Sequence, residues 1–397
     1  MIAENFYAMT KAPSVIRSMS EWATARGAQI GYENVFDYSL GNPSVPCPDH
    51  VTDAAIDLLN SREPVALHGY SPSVSIPSVR AAVAESLNRR FGMRYGPEHI
   101  FMTAGAAGSL AHALRCVGVP GQEVITFAPY FPEYKPYVEG AGLTLRVAPP
   151  RVEDFQIDFD ALQALLCPNT AAVLINTPNN PSGAAYSADT LRRLAAVLTA
   201  ASKTYGHHIF LISDEPYREI LFGGKAVDYV ASFYPDTLTC YSFSKSLSLP
   251  GERIGYLAAN PDCERAGDIV KICAQISRGI GHNCPSSLFQ YVAADCIDDT
   301  SDLSVYERNM VLLYDKLTAL GLRVRRPDGT FYIFPKAPEA DANAFCEKAK
   351  AYNLVLVPGD SFGCPGYFRI SYCIDTEKVR RSLPAFDTLM KNEYGVK

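Results

Sequence analysis

The sequence predicts an α/β protein, in which helices cover both faces of a mostly parallel sheet and a smaller α+β unit stands beside it. Three observations carry this expectation. Short, nearly continuous apolar runs at 100–103, 123–127, 171–176, 208–213 and 237–242 alternate with segments of helical periodicity, as strands buried on both faces do. Near residue 291 the pattern changes to helices interleaved with isolated strand-like runs. Finally, 397 residues that are 48% hydrophobic and 20% charged suffice for one large core and a second, smaller one. The expected division is a large unit at 43–290 and a small unit made of 1–42 and 291–397.

In chain order, residues 2–30 read as a helix with one polar face. Phe36-Asp-Tyr-Ser-Leu-Gly41-Asn-Pro-Ser-Val-Pro-Cys-Pro then forces an extended segment that crosses between the units. Within it, Gly41 either brings its backbone close to a ligand or serves as a plain turn. His68-Gly-Tyr70-Ser-Pro is a loop of turn formers that leaves Tyr70 exposed ahead of a helix at 78–88. After the strand at 100–103, Ala104-Gly105-Ala106-Ala107-Gly108-Ser109 turns into a helix at 110–116. Such a small-residue turn frees backbone N–H groups for an anion, or lets helix and strand pack closely. The clearest helix is 188–205, with Ser187 as N-cap, Leu191, Leu194, Ala195 and Leu198 on one face, and Gly206 as the stop. Beyond 291 come a helix at 305–320, a strand at 330–334, a helix at 344–352, strands at 354–357 and 367–373, and a last helix at 376–391.

Composition removes several function classes. A net charge of −6 with no basic run gives no electrostatic footprint for nucleic acid. Signal-peptide and membrane-length apolar runs are missing, so a cytoplasmic location is expected. The eleven cysteines form no C-x-x-C pair and suit reduced, buried thiols. The seven histidines show no ligand spacing beyond His207-His208, so no metal is expected.

Ligands of parallel sheets bind beyond the carboxyl ends of the strands, and here each strand ends in polar or small residues. The ends deliver Gly105-Ala106-Ala107, Pro129-Tyr-Phe131, Thr177-Pro-Asn-Asn180, Asp214-Glu-Pro-Tyr217, and Ser242 with Lys245. Lys245 stands among the hydroxyls of Ser242, Ser244, Ser246 and Ser248, with Arg253 beyond a Pro-Gly turn. An amine beside small donors and a fixed cation suits a Schiff-base lysine next to a bound phosphate.

Taken in order, Leu40-Gly-Asn-Pro, the Tyr70 loop, Thr103-Ala-Gly-Ala-Ala, Asn179-Asn-Pro-Ser-Gly, Ser213-Asp-Glu-Pro-Tyr, Ser242-Phe-Ser-Lys, Gly251-Glu-Arg-Ile-Gly and Phe368-Arg-Ile-Ser resemble the motifs of a fold-type I, pyridoxal-phosphate-dependent aminotransferase. The likeness is to class I/II and to its aspartate-aminotransferase-like members, and it covers nearly the whole chain. It implies pyridoxal 5'-phosphate carried on Lys245, with Asp214 paired to the pyridine nitrogen and Asn180 and Tyr217 on the ring's 3-oxygen. Phe131 takes the ring-stacking position, where Phe rather than Trp leaves no indole N–H. The phosphate would be held by Arg253, Ser242 and the backbone of Gly105, Ala106 and Ala107, with Tyr70 supplied by the neighbour in a homodimer with shared sites. Ala106 and Ala107 depart from the hydroxyl or amide side chains common in that turn. Arg369 matches the arginine that grips the substrate α-carboxylate, with Gly41 and Asn180 nearby. Arg278, in Ile276-Ser-Arg-Gly-Ile-Gly-His-Asn283-Cys-Pro285, matches an arginine that reads a dicarboxylate side chain across the dimer. The implied reaction moves an amino group between an amino acid and a 2-oxo acid, with aspartate and 2-oxoglutarate expected. An aromatic or alanine-type donor, or a C–S or β-lyase on the same fold, remains the alternative. A cofactor-retaining regulatory module would need a basic DNA-binding extension, which the chain lacks.

Overall fold

Ser187 opens the helix Ala188–Tyr205 by accepting from the Thr190 N–H, and Gly206 closes it in the left-handed conformation at φ 73°. That helix, with Leu191, Leu194 and Leu198 buried, is one of those covering the central sheet of the computed structural model. The structure describes residues 7, 10, 11, 14–226 and 228–396. The N-terminal helix runs Val15–Ile30; the part expected over residues 2–13 lies almost entirely outside the described residues. After it, β1 (Phe36–Asp37) begins the segment that crosses the molecule.

The central sheet contains β2 (Ile100–Thr103), β3 (Glu123–Phe127), β4 (Thr144–Ala148), β5 (Thr170–Asn176), β6 (Phe210–Asp214), β7 (Thr237–Ser242) and β8 (Gly255–Ala259), in the order β2-β8-β7-β6-β5-β3-β4. Pairings from β4 through β7 are parallel, and only β8, between β2 and β7, runs antiparallel. The five expected strands are all present. The sequence expectation missed β4 and β8, and began the helix after β2 too late, since it runs Gly105–Val117. Because β2, β3, β5, β6 and β7 point the same way, their carboxyl ends open onto one edge of the sheet.

The remaining strands are short: β9 (Tyr332–Ile333), β10 (Leu354–Val355), β11 (Val357–Pro358) and β12 (Phe368–Ser371). β12 pairs antiparallel with β9 and β11, while β1 pairs in parallel with β10. Phe36 and Tyr38 share a core with Tyr306, Leu313, Phe345, Phe368 and Phe386, which binds the N-terminal segment to the C-terminal third. No helix among the described residues is long and apolar enough to cross a membrane, and all eleven cysteines are free thiols.

Candidate active site

The carboxyl ends of β5, β6 and β7 meet the 39–41 segment and β12 around a cavity of about 310 Å³. Asp214, the last residue of β6, is buried, and its Oδ2 accepts from the Tyr134 hydroxyl at 2.6 Å. Its Oδ1 is also buried and has no hydrogen-bond partner among the described residues. Burial drives the Asp214 pKa up to about 7, against the lowering effect of Tyr134. Beside it, Asn176 donates to the Asp214 carbonyl at 2.8 Å and accepts from the Asn180 N–H at 2.7 Å. One amide thereby fixes both the carboxylate's strand and the loop that carries Asn180.

Lys245 follows β7 on a single helical turn, Phe243–Ser246, which Ser242 caps by accepting from the Ser244 N–H. Its Nζ donates to the Gly41 carbonyl at 2.7 Å, joining the sheet edge to the crossing segment. Burial lowers the Lys245 pKa to about 8, with Arg253 and Arg369 adding to the effect. An amine so tuned is neutral often enough near neutral pH to act as nucleophile or base.

An anion cradle lies next to it. Gly105 has φ +74°, and a Cβ there would stand 3.1 Å from Arg253 Nη2 and 3.4 Å from Ser242 Oγ. Only glycine keeps that space open, at the N-terminus of a helix of 13 residues where free N–H groups and the helix dipole attract negative charge. Arg253 is held by the carbonyls of Pro250 and Ala104, at 2.8 and 3.3 Å, and Ala106 and Ala107 line the cavity. Ser242 and Ser244 share a hydroxyl hydrogen bond of 2.7 Å on the same side.

At the other end, Arg369 on β12 is only 1% exposed. It donates to Asn180 Oδ1 at 3.1 Å and to the Ser39 carbonyl, and stacks near the rings of Tyr332 and Phe362, at 4.6 and 5.0 Å. Its Nε has no partner, and no carboxylate among the described residues forms an ion pair with it. A buried guanidinium without a counter-ion is costly, so the site is built to receive an anion. Tyr217 shares a hydroxyl hydrogen bond of 3.1 Å with Tyr332, and Phe131 lines the cavity edge-to-face with Tyr134 at 5.7 Å.

Of the residues singled out from sequence, Gly41, Ala106, Ala107, Phe131, Asn180, Asp214, Tyr217, Ser242, Lys245, Arg253 and Arg369 line this cavity, and Gly105 adjoins it. Tyr70 and Arg278 do not reach it in their own chain. Tyr70 is 99% exposed, and the guanidinium of Arg278, at the end of the helix Ala266–Gly279, donates to Gln275 at 3.4 Å. Tyr70 and the segment 281–287, which follows the helix that ends in Arg278 and Gly279, line a common outer cavity, and Ser287 donates to the Gly69 carbonyl at 2.9 Å. Sequence reasoning missed Tyr134, Asn176, Tyr332 and Ile16. None belongs to a motif, although Asn176 closes a strand that points at the site.

Behind the crevice lies a buried ionic network. Arg218 donates to Glu215 at 3.3 Å, to Glu219 at 3.4 Å and to the Tyr256 hydroxyl at 2.6 Å. Ser213 donates to Glu215 at 2.7 Å, and Tyr241 donates to Glu219 at 3.3 Å and Ser246 at 2.9 Å.

Pyridoxal 5'-phosphate fits this donor set. A primary amine of lowered pKa, a buried carboxylate with a free oxygen and a cradle for a phosphate match its aldehyde, its ring nitrogen and its anion. Fold and crevice together define a pyridoxal-phosphate-dependent transferase of fold type I. The chain belongs to the aminotransferase class I and II family, which matches residues 33–386. It is 29% identical to an aspartate aminotransferase of Geobacillus stearothermophilus over 398 residues, 96% of either chain. It is also 29% identical to aromatic-amino-acid aminotransferase 2 of Thermococcus litoralis, again over 96% of each. Among solved structures, an amino transferase from Eubacterium rectale superposes with a TM-score of 0.96 at 44% identity, covering 99% of both chains. The aspartate aminotransferase of Thermus thermophilus with maleate gives 0.86 at 27% identity, covering 98% of this chain and 99% of that one.

Proposed function

We propose that this aminotransferase takes aspartate as its amino donor and 2-oxoglutarate as acceptor, and works as a homodimer with shared sites. The observation that carries the amino-acid reading is the pairing of Lys245 with Arg369 across one cavity. Arg369, buried and with an unpartnered Nε, would bind a substrate α-carboxylate. A carboxylate held there would leave the substrate Cα to face the Lys245 amine across the cavity.

Lys245 would hold the cofactor aldehyde, Asp214 its ring nitrogen, Asn180 and Tyr217 its 3-oxygen, and Phe131 one face of its ring. Ser242, Arg253 and the N–H groups of Gly105, Ala106 and Ala107 would hold its phosphate, with Tyr70 from the neighbouring subunit. When bound, the cofactor supplies a ring that accepts the electrons released as the substrate Cα loses its proton. Lys245 takes that proton as general base and returns one as general acid, a double use that an amine near pKa 8 permits. Asp214, once opposite a cation, stays ionised and holds the ring nitrogen protonated. Tyr332, through its bond to Tyr217, would orient the hydroxyl offered to the 3-oxygen.

The exposed neighbourhood of Tyr70, which also carries Val65 at 79% exposure, supports an intersubunit role, and the segment that follows Arg278 lines the same outer cavity. A second subunit would then bring Arg278 to the side-chain carboxylate of the donor. Within each chain the large unit, 43–290, would hold the cofactor, and 1–42 with 291–397 would form the small unit carrying Arg369. A cytoplasmic location is proposed with this reading.

An amino-donor screen tests it. Aspartate, alanine and phenylalanine, each offered with 2-oxoglutarate, should give glutamate fastest with aspartate. A faster phenylalanine reaction would assign the chain to the aromatic donors instead. Release of ammonia without a new amino acid would make it a lyase.

A further inference from the structure

We infer that the chain carries a second site outside the catalytic crevice, a zinc-class cation site formed by His50, Cys296 and Asp299. Their donor atoms all lie within 4.8 Å of one another, with Cys296 buried, Asp299 half-buried and His50 exposed. Thiolate, imidazole and carboxylate are the donors zinc takes, at roughly 2.0–2.3 Å and with three protein ligands plus a fourth partner. Closing on a shared ion would require the exposed His50 and half-buried Asp299 to turn toward Cys296. An ordinary ion pair explains the 2.6 Å contact between His50 and Asp299. The Cys296 thiol, turned to the same carboxylate by a hydrogen bond to Asp299, adds the third donor.

The elements that present these donors are fixed. Helices Asp49–Ser61 and Ser287–Asp295 pack against each other. Cys296 caps the second of them through its N–H on the Val292 carbonyl, and the Asp299 N–H folds back onto the Cys296 carbonyl at 3.1 Å. Cys296-x-x-Asp299 is thus a turn that offers thiol and carboxylate together. Cys47-x-x-His50 faces it from the start of the first helix, but Cys47, packed against the core that contains Cys296, lies outside the 4.8 Å group, so water would supply the fourth partner. The surroundings are negative as well. Asp53 lies on the first helix and Asp295 ends the second; a divalent cation would answer those charges.

The expectation of no metal rested on spacing between histidines, whereas these donors come from segments 249 residues apart. Two residues beyond Asp299, Ser301 donates its N–H to the Ser246 carbonyl at 2.8 Å and its hydroxyl to Ser248 at 3.0 Å. A cation at the cluster would therefore anchor the loop that backs the Lys245 turn.

The test uses tag-free, full-length protein with its cofactor, stripped of metal and titrated with cobalt(II), then with zinc(II) as competitor. One cobalt per chain is expected by elemental analysis, with ligand-field bands at longer wavelengths than the cofactor absorbs, bleached by zinc. H50A and D299N should each weaken binding by more than the roughly 10–100-fold that losing an outer-shell partner costs, and C296S should abolish the thiolate signature. If C296S fails to fold, the exposed H50A still decides. Binding well below one equivalent, binding unchanged in H50A, or a disulfide between Cys47 and Cys296 in the untreated protein would each overturn the site.

Discussion

Replacing Lys245 by Met should stabilise the cofactor-free protein near neutral pH while removing its activity. The magnitude follows from the cost of burying a charged amine. Folding lowers the Lys245 pKa from 10.5 to about 8, and at about 1.4 kcal/mol per pH unit the charged form is disfavoured by roughly 3 kcal/mol. Part of the side chain remains open to the crevice, so solvent screening trims that figure to about 2–3 kcal/mol. Met fills a similar volume without charge, but it also gives up the hydrogen bond to the Gly41 carbonyl, worth about 1 kcal/mol. A net gain of about 1–2 kcal/mol is expected at pH 7. Its pH dependence is the sharper part. The native state binds fewer protons than the unfolded chain between about pH 8 and 10.5, so the penalty is complete below pH 8 and fades as pH rises toward 10.5. Urea unfolding of cofactor-free wild type and K245M at pH 7, 8, 9 and 10 measures this directly. A gain that is absent at pH 7, or that does not shrink by pH 10, would refute the argument that burial of the amine sets its pKa.

Asp214→Asn should lower kcat/KM by about two to three powers of ten, because a buried charge pair with the cofactor is lost. Since burial raises the Asp214 pKa to about 7, ionising it costs stability as pH climbs through that value. Cofactor-free D214N should therefore gain on wild type more at pH 8 than at pH 5, and unfolding midpoints at the two pH values check this. Arg278→Ala should cost about two to three powers of ten in kcat/KM with aspartate and little with phenylalanine, the loss of one desolvated arginine–carboxylate pair; equal losses on both donors would remove Arg278 from side-chain recognition. Mixing K245A chains with Y70F chains should restore part of the activity that neither shows fully alone, since one site per mixed dimer stays intact. Failure of that recovery, or an active monomer in sedimentation, would sink the shared site.

The central sheet was legible because its inner strands are apolar on both faces, and the contents of the crevice because they sit at the ends of those strands. β4 escaped because Thr144-Leu-Arg-Val-Ala lies on an edge, with Thr144, Arg146 and Val147 exposed, so it lacks the continuous apolar run. β8, Gly255-Tyr-Leu-Ala-Ala, lacks β-branched residues and draws its strand character from two antiparallel neighbours. The helix at Gly105 was started late because Gly and Ala alone carry no cap signal. Tyr134 and Tyr332 were invisible for another reason. Tyr134 meets Asp214 across 80 residues and Tyr332 meets Tyr217 across 115, and no local pattern encodes such a meeting.

The network around Arg218 bears on how this site can change over time. Glu215 is next to Asp214 in the chain and Ser246 is next to Lys245, and the links through Arg218, Glu219 and Tyr241 connect the two. Losing any one ionic member strands a buried charge, a change that costs several kcal/mol, whereas exchanging the set for apolar residues of like volume need cost little. Single steps are therefore closed and coordinated ones open. Drift at these positions should proceed in groups. The separation between carboxylate and amine is then inherited as a block, while the rim around Tyr70 and Arg278, free of such coupling, is where new substrates can be tried.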